Sequence, residues 1–115
     1  MPNNNIWNAG IVHTHNIELI IEIKLKEVVR VLLPNKYIHE ERTIVMVGGK
    51  LIHLLRNPVT VTQLWDSYRK QQEIQNLPQV PFDLFILTLD FLYIIGVIDF
   101  RKGKLRRLTH DQQNI

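Results

Sequence analysis

The sequence contains no cysteine. This absence excludes disulfide bonds, thiolate metal ligands and thiol nucleophiles, and it fits a protein of a reducing compartment. The N-terminus has no basic region followed by an apolar block, which a secretory signal would need. No apolar run approaches the roughly 20 residues that cross a bilayer. We therefore expect a cytoplasmic protein that does not enter a membrane.

Candidates for catalysis and nucleotide binding are equally scarce. Ser67 is the only serine, and no histidine stands near it in the sequence to act as its base. The His39–Glu41 triplet lacks the second histidine of a metalloprotease helix, because position 43 is threonine. The Gly48–Lys50 triplet lacks both the earlier glycine and the following Ser or Thr of a phosphate-binding loop. We expect no enzymatic activity, no metal and no cofactor.

The composition is that of one folded domain. Apolar residues make up 45% of the 115 residues, which is enough for a core. The net charge of +3 and the pI of about 9.4 are too weakly basic to predict nucleic-acid binding by themselves. The positions of the charges are more informative than their sum.

The first 33 residues form an asparagine-rich arm followed by an ambiguous apolar segment. Ile21, Ile23 and Leu25 alternate with charged residues, which is typical of a strand. One broad helical face also fits this segment, formed by Ile17, Ile21, Val28 and Leu32. The density of β-branched residues favours a strand over Glu18–Lys26.

Three helices are predicted after Pro34, where apolar residues recur at steps of three and four. They cover Thr43–Leu55, Val61–Glu73 and Phe82–Ile95. Thr60 and Gln63 have the spacing of a capping box at the start of the second helix. Gly48 and Gly49 weaken the first helix, and we interpret them as a site of close packing against another helix.

The last helix is followed by a predicted β-hairpin. Gly96 stands where a left-handed residue ends a helix. Val97–Phe100 and Lys104–Leu108 are the strands, and Arg101–Gly103 is a three-residue loop. Three helices and a hairpin predict an α+β fold, a winged helix-turn-helix whose wing is the hairpin, with a strand-like N-terminal extension. The predicted divisions are an arm and strand over 1–33, the winged-helix domain over 34–108 and a polar tail over 109–115.

Positive charge is concentrated in the wing. Five cations stand within seven positions, and they are the candidate DNA contacts: Arg101, Lys102, Lys104, Arg106 and Arg107. Such a hairpin could follow a phosphate backbone and bind DNA without reading its sequence. A docking site for an acidic protein surface fits the same charges.

The third helix has the wrong composition for reading bases. Base readout uses Arg, Lys, Asn or Gln, and none occurs over Phe82–Ile95. Asp83 and Asp90 would repel phosphates. The helix is apolar nearly all round, which predicts that its outer face is covered by protein. Including the N-terminal segment, the candidate partner-binding residues are Phe82, Phe85, Leu89, Tyr93, Ile21 and Ile23.

Three stretches carry a family resemblance: LLPNKYIHEERTIVMVGGKLIHLL, VTVTQLWDSYRK and FDLFILTLDFLYIIGVIDFRKGKLRR. Together they resemble the small middle component of bacterial ABC-three-component systems. Members act beside an SMC-like or ABC-type ATPase and an effector, as in Lamassu-type defence against phages and plasmids.

The resemblance implies a winged-helix adaptor subunit that docks on the ATPase, with no ATPase or nuclease activity of its own. The implied partners are the ATPase and the effector, with DNA contacted non-specifically and no small-molecule substrate. The alternative is a stand-alone winged-helix transcriptional regulator that binds DNA. The resemblance supplies no individual contact residue.

Overall fold

Four helices precede a two-stranded antiparallel hairpin in the computed structural model, which describes residues 19–32 and 40–108. The elements are α1 (residues 19–32), α2 (Glu41–Leu54), α3 (Val61–Ile74), α4 (Phe82–Ile94), β1 (Ile98–Arg101) and β2 (Lys104–Arg107). This arrangement confirms the α+β winged-helix prediction. The predictions for residues 1–18, for the connection over 33–39 and for the tail over 109–115 lie outside the described residues. None of the helices in the described ranges has both the length and the apolar character of a membrane span.

The predicted strand over Glu18–Lys26 is wrong, because α1 is helical from residue 19 onward. Ile21, Leu25 and Val29 are buried at steps of four residues. A strand would have placed Ile21, Ile23 and Leu25 on one face, yet the side chain of Ile23 is 53% exposed. Burial of one helical stripe outweighs the strand preference of β-branched residues, which depends strongly on context.

Close packing at Gly48 joins three helices. A Cβ atom at this position would lie 2.8 Å from Cδ1 of Leu25 in α1. It would lie 3.6 Å from Cγ2 of Thr88 and 3.6 Å from Cδ2 of Leu92, both in α4. The predicted contact with another helix is therefore confirmed for Gly48. Gly49 faces outward, where a Cβ atom would meet nothing within 4 Å.

Local hydrogen bonds fix the start of α3. The hydroxyl of Thr60 accepts from the backbone N–H of Gln63 at 3.1 Å, and the Gln63 side chain accepts from the backbone N–H of Thr60 at 2.9 Å. The predicted capping box is confirmed.

We expect Thr60→Ala to lower the free energy of unfolding by about 1 kcal/mol, because it leaves the N–H of Gln63 without its cap. The measurement is urea denaturation followed by circular dichroism. Thr62→Ala is the matched control, since Thr62 is exposed in the first turn and takes no part in the box. Equal losses in the two variants would contradict a capping role.

The end of α4 turns the chain into the hairpin. Gly96 has a φ of +82°, as predicted for a left-handed residue. Its N–H donates to the carbonyl of Tyr93 at 3.0 Å, and the N–H of Val97 donates to the carbonyl of Leu92 at 3.2 Å. These two bonds form a Schellman motif. The side chain of Val97 is fully buried, so the motif also anchors the start of the hairpin in the core.

The hairpin turn is one residue shorter than predicted. Arg101 belongs to β1 and pairs with Lys104, so the loop contains only Lys102 and Gly103. Both have positive φ, +53° and +79°, which is the conformation of a type I′ turn. Val59, just before α3, pairs with Leu105 through backbone bonds of 3.0 and 2.7 Å. This pairing ties the wing to the helical core.

Candidate interaction surfaces

The register of the hairpin sorts the wing cations onto two faces. Asp99 lies opposite Arg106, and Arg101 lies opposite Lys104. Because directly opposed residues point to the same face of a sheet, these four side chains share one face. Arg107 lies opposite Ile98 and therefore belongs to the other face.

Asp99 holds Arg106 in a bidentate ion pair. Nε of Arg106 donates to Oδ1 at 2.7 Å, and Nη2 donates to Oδ2 at 3.2 Å. Nε of Arg101 lies 3.7 Å from Oδ2 of the same carboxylate. The hydrogen bond from Arg106, together with the charges of Arg106 and Arg101, lowers the pKa of Asp99. The guanidinium of Arg106 is thus paired within the wing, whereas the sequence suggested an outward-facing cation.

The other wing cations are exposed. The side chain of Arg101 is 70% exposed, and Lys102, Lys104 and Arg107 are also exposed. Across residues 19–32 and 40–108, no carboxylate pairs with Lys102, Lys104 or Arg107. We call Arg101, Lys102 and Lys104 the wing tip. Its chemistry suits phosphate groups or an acidic protein surface.

Acid is expected to weaken the wing through Asp99. A carboxyl group whose folded pKa is depressed stabilises the fold above its ordinary pKa, which is 3.8 for Asp99. That stabilisation is lost as the pH falls below 3.8 and through the lower folded pKa. Thermal unfolding of the protein and of Asp99→Asn, followed between pH 2 and pH 6 (roughly the range of carboxyl titration), should converge at the acid end. A constant difference across that range would contradict the prediction.

The turn between α3 and α4 is built around Gln72, a buried polar residue that the sequence reading missed. Nζ of Lys50 donates to Oε1 of Gln72 at 2.6 Å. Nε2 of Gln72 donates to the carbonyl of Pro78, also at 2.6 Å. The detectable signal was its spacing, since Gln72 continues the buried row of Leu64 and Tyr68 at four-residue steps. These bonds fix the long turn of the helix-turn-helix and so set where α4 begins.

The six candidate partner-binding residues divide into two groups. Phe85, Leu89 and Ile21 are buried in the core of this chain, with side chains 0%, 6% and 6% exposed. The structure corrects their placement, because the chain's own packing uses them. Phe82, Tyr93 and Ile23 are 47%, 60% and 53% exposed and are accessible to another molecule.

An aromatic cluster joins the start of α4 to α3. The ring of Trp65 lies 5.2 Å from the ring of Phe82 and 4.8 Å from that of Phe85. The guanidinium of Arg69 lies 5.6 Å from the centre of the Trp65 ring. Trp65 is half-buried and packs at the edge of the core. Phe82 extends this cluster to the surface.

The outer face of α4 is apolar and acidic. We define it by Asp83, Leu87, Asp90 and Ile94, which follow one another at steps of three and four residues. Both aspartates and Ile94 are exposed, and Leu87 is half-buried. Residues 19–32 and 40–108 leave the exposed side chains of this face uncovered. Its cover by another segment or molecule stays a prediction.

This combination of helices and hairpin defines a winged helix-turn-helix domain in which the second helix of the helix-turn-helix, α4, carries no Arg, Lys, Asn or Gln to read bases. A family model described as ABC-three component (ABC-3C) system Middle Component 6 matches residues 33–108, and the chain belongs to that family. The match confirms the resemblance found in the sequence. Searches of curated proteins and of solved structures return no match.

Membership gives the chain a role in an ABC-three component system. The name of the family implies that other components act with it. The matched region starts after α1. Helix α1, whose Leu25 packs on Gly48, therefore lies outside the region that the family model matches.

Proposed function

We propose that this chain is a non-catalytic winged-helix adaptor subunit of an SMC-like or ABC-type ATPase complex in prokaryotic defence against phages or plasmids. It docks on the ATPase subunit, acts together with an effector subunit and touches DNA non-specifically through the wing. The middle-component family supports a role among other subunits.

The observation that carries the proposal is the composition of α4. A helix in this position of a winged helix normally enters the major groove and needs donors and acceptors for base edges. Here the open side offers Leu87, Ile94 and two carboxylates. Removing apolar side chains from water lowers the free energy, so this face favours contact with protein over contact with DNA.

The wing supports the second part of the proposal. The exposed cations of the wing tip can approach phosphates without any base contact, and the resulting affinity depends on salt and not on sequence. The absence of a phosphate-binding loop from the sequence supports the view that ATP is bound by another subunit.

Co-expression of the full chain with the ATPase and effector of its own system tests the adaptor role. We expect one species in size-exclusion chromatography with light scattering, containing the chain and the ATPase in a fixed ratio. Tight and sequence-specific binding of a duplex by the purified chain alone would contradict the proposal and favour a stand-alone transcriptional regulator.

A further inference from the structure

Two carboxylates alternate with two apolar side chains, Leu87 and Ile94 (the apolar strip), along the outer face of α4. Asp83 and Asp90 are seven residues apart, which is about 10 Å along the helix axis at 1.5 Å per residue. Leu87 lies between them, and Ile94, with a 56% exposed side chain, lies one turn beyond Asp90. Tyr93, with a side chain 60% exposed, adds to the open apolar surface at the same end of the helix.

The stability of α4 does not account for both charges. Asp83 lies in the first turn, where the helix dipole favours a negative side chain. Asp90 lies in the third turn, where that benefit has faded and where aspartate has a low helix propensity. In the part of the chain that the structure describes, no cation pairs with either carboxylate. Within residues 19–32 and 40–108, nothing offsets the low helix propensity of Asp90, whereas a cation on a bound partner would.

The charge of this face determines which surface can cover it. Phosphates are repelled by two carboxylates, which excludes a nucleic-acid backbone. A purely apolar surface would bury both charges without partners, at a high cost in desolvation. A surface on which cations alternate with apolar side chains satisfies both parts of the face, because each carboxylate gains an ion pair as the apolar strip leaves water.

The wing tip of a second copy matches this requirement poorly. Its cations and its exposed apolar residue lie on opposite faces of the hairpin, because Phe100 pairs with Leu105 while Arg101 pairs with Lys104. The strip on α4 requires both kinds of group on one side. The wing tip of a second copy is therefore a poor partner for this strip.

We infer that the outer face of α4 binds a basic, amphipathic segment of the ATPase subunit, in which Lys or Arg residues pair with Asp83 and Asp90 and apolar residues contact Leu87 between them and Ile94 beyond Asp90. This inference rests on the proposed function and specifies the partner chemistry of the docking site. The wing tip and the α4 face have opposite charge, so they select different partners.

The test measures affinity of the full-length chain for the purified ATPase subunit by isothermal titration calorimetry at two salt concentrations. We expect Asp90→Lys to weaken binding at least tenfold at low salt, with Asp90→Asn intermediate. Asp66→Lys is the matched control, because it makes the same charge change at an exposed position of α3. Lysine has a higher helix propensity than aspartate, so loss of folding would not explain a loss of binding. Thermal unfolding of each variant checks this point.

The outcomes of this test distinguish failure of the α4 docking inference from failure of the adaptor role. If the wild-type chain binds and Asp90→Lys binds within twofold of it, the inference is overturned and the adaptor role stands. If the wild-type chain does not bind the ATPase, the adaptor role and the inference both fall. A homo-oligomer of the chain alone that is dissolved by Asp90→Lys would assign the face to a second copy and also overturn the inference. Weaker binding by Asp90→Lys than by Asp66→Lys, with an affinity less sensitive to salt than that of wild type, supports it.

Discussion

Replacing Gly48 with valine should lower the free energy of unfolding by about 3 kcal/mol, whereas the same change at Gly49 should be close to neutral. A Cβ atom at position 48 would already stand 2.8 Å from Cδ1 of Leu25, which is closer than carbon atoms approach. The two γ-methyl groups of valine add to that crowding between α1, α2 and α4. Relief requires the side chain of Leu25 to shift, although this side chain is only 1% exposed and is packed in the core.

Gly49 is the internal control because it occupies the same helix and is exposed, with no atom within 4 Å of a Cβ position. Urea denaturation of both valine variants, followed by circular dichroism, measures the difference. Gly49→Ala should add up to about 1 kcal/mol of stability, since alanine has the higher helix propensity. Gly48→Ala should gain less, because the same benefit is offset by the contact with Leu25. Equal stabilities for the two valine variants would mean that α1 does not pack over Gly48.

The elements that the sequence predicted well are those with local signals. The capping box at Thr60 and the left-handed Gly96 are defined by residues close together in the chain, and both appear as expected. Helix α1 was missed for the opposite reason. Its β-branched residues favour a strand locally, whereas the helix buries Ile21, Leu25 and Val29 in the core, with Leu25 packed against Gly48. That contact cannot be inferred from the neighbouring residues.

The candidate site was predicted in outline and not in detail. Helix α4 was recognised as unsuited to base readout, but its apolar residues surround the helix, so periodicity did not reveal that Phe85 and Leu89 face inward. The wing shows how one residue of loop length changes the chemistry. A three-residue loop would have placed Asp99 opposite Leu105, whereas the observed two-residue turn places it opposite Arg106. The ion pair that removes Arg106 from the exposed cations follows from that register.

Changing Lys102 and Lys104 together to glutamate should weaken the binding of an arbitrary DNA duplex on the order of 100-fold at low salt, equivalent to about 3 kcal/mol. Both lysines are exposed at the wing tip, and reversal of their charges removes two cations and adds two anions beside the phosphates. Fluorescence anisotropy with a labelled duplex over a series of salt concentrations gives the affinity. The slope of log K against log salt concentration should become shallower by about two, one for each lost lysine contact.

Two variants of the Asp99–Arg106 ion pair show, in the same DNA-binding assay, whether a paired cation contributes less to the affinity than the exposed cations. Arg106→Gln should change the DNA affinity only a few-fold, because its guanidinium is already engaged by Asp99 at 2.7 Å and 3.2 Å. Asp99→Asn should increase the affinity, because it removes the anion nearest the wing tip and releases Arg101 and Arg106 from its charge. An affinity that falls as far with Arg106→Gln as with the double lysine variant would show that the ion pair opens on binding. An affinity unchanged by the lysine reversals would show that the wing tip does not contact DNA, because anions added beside a phosphate backbone would weaken binding.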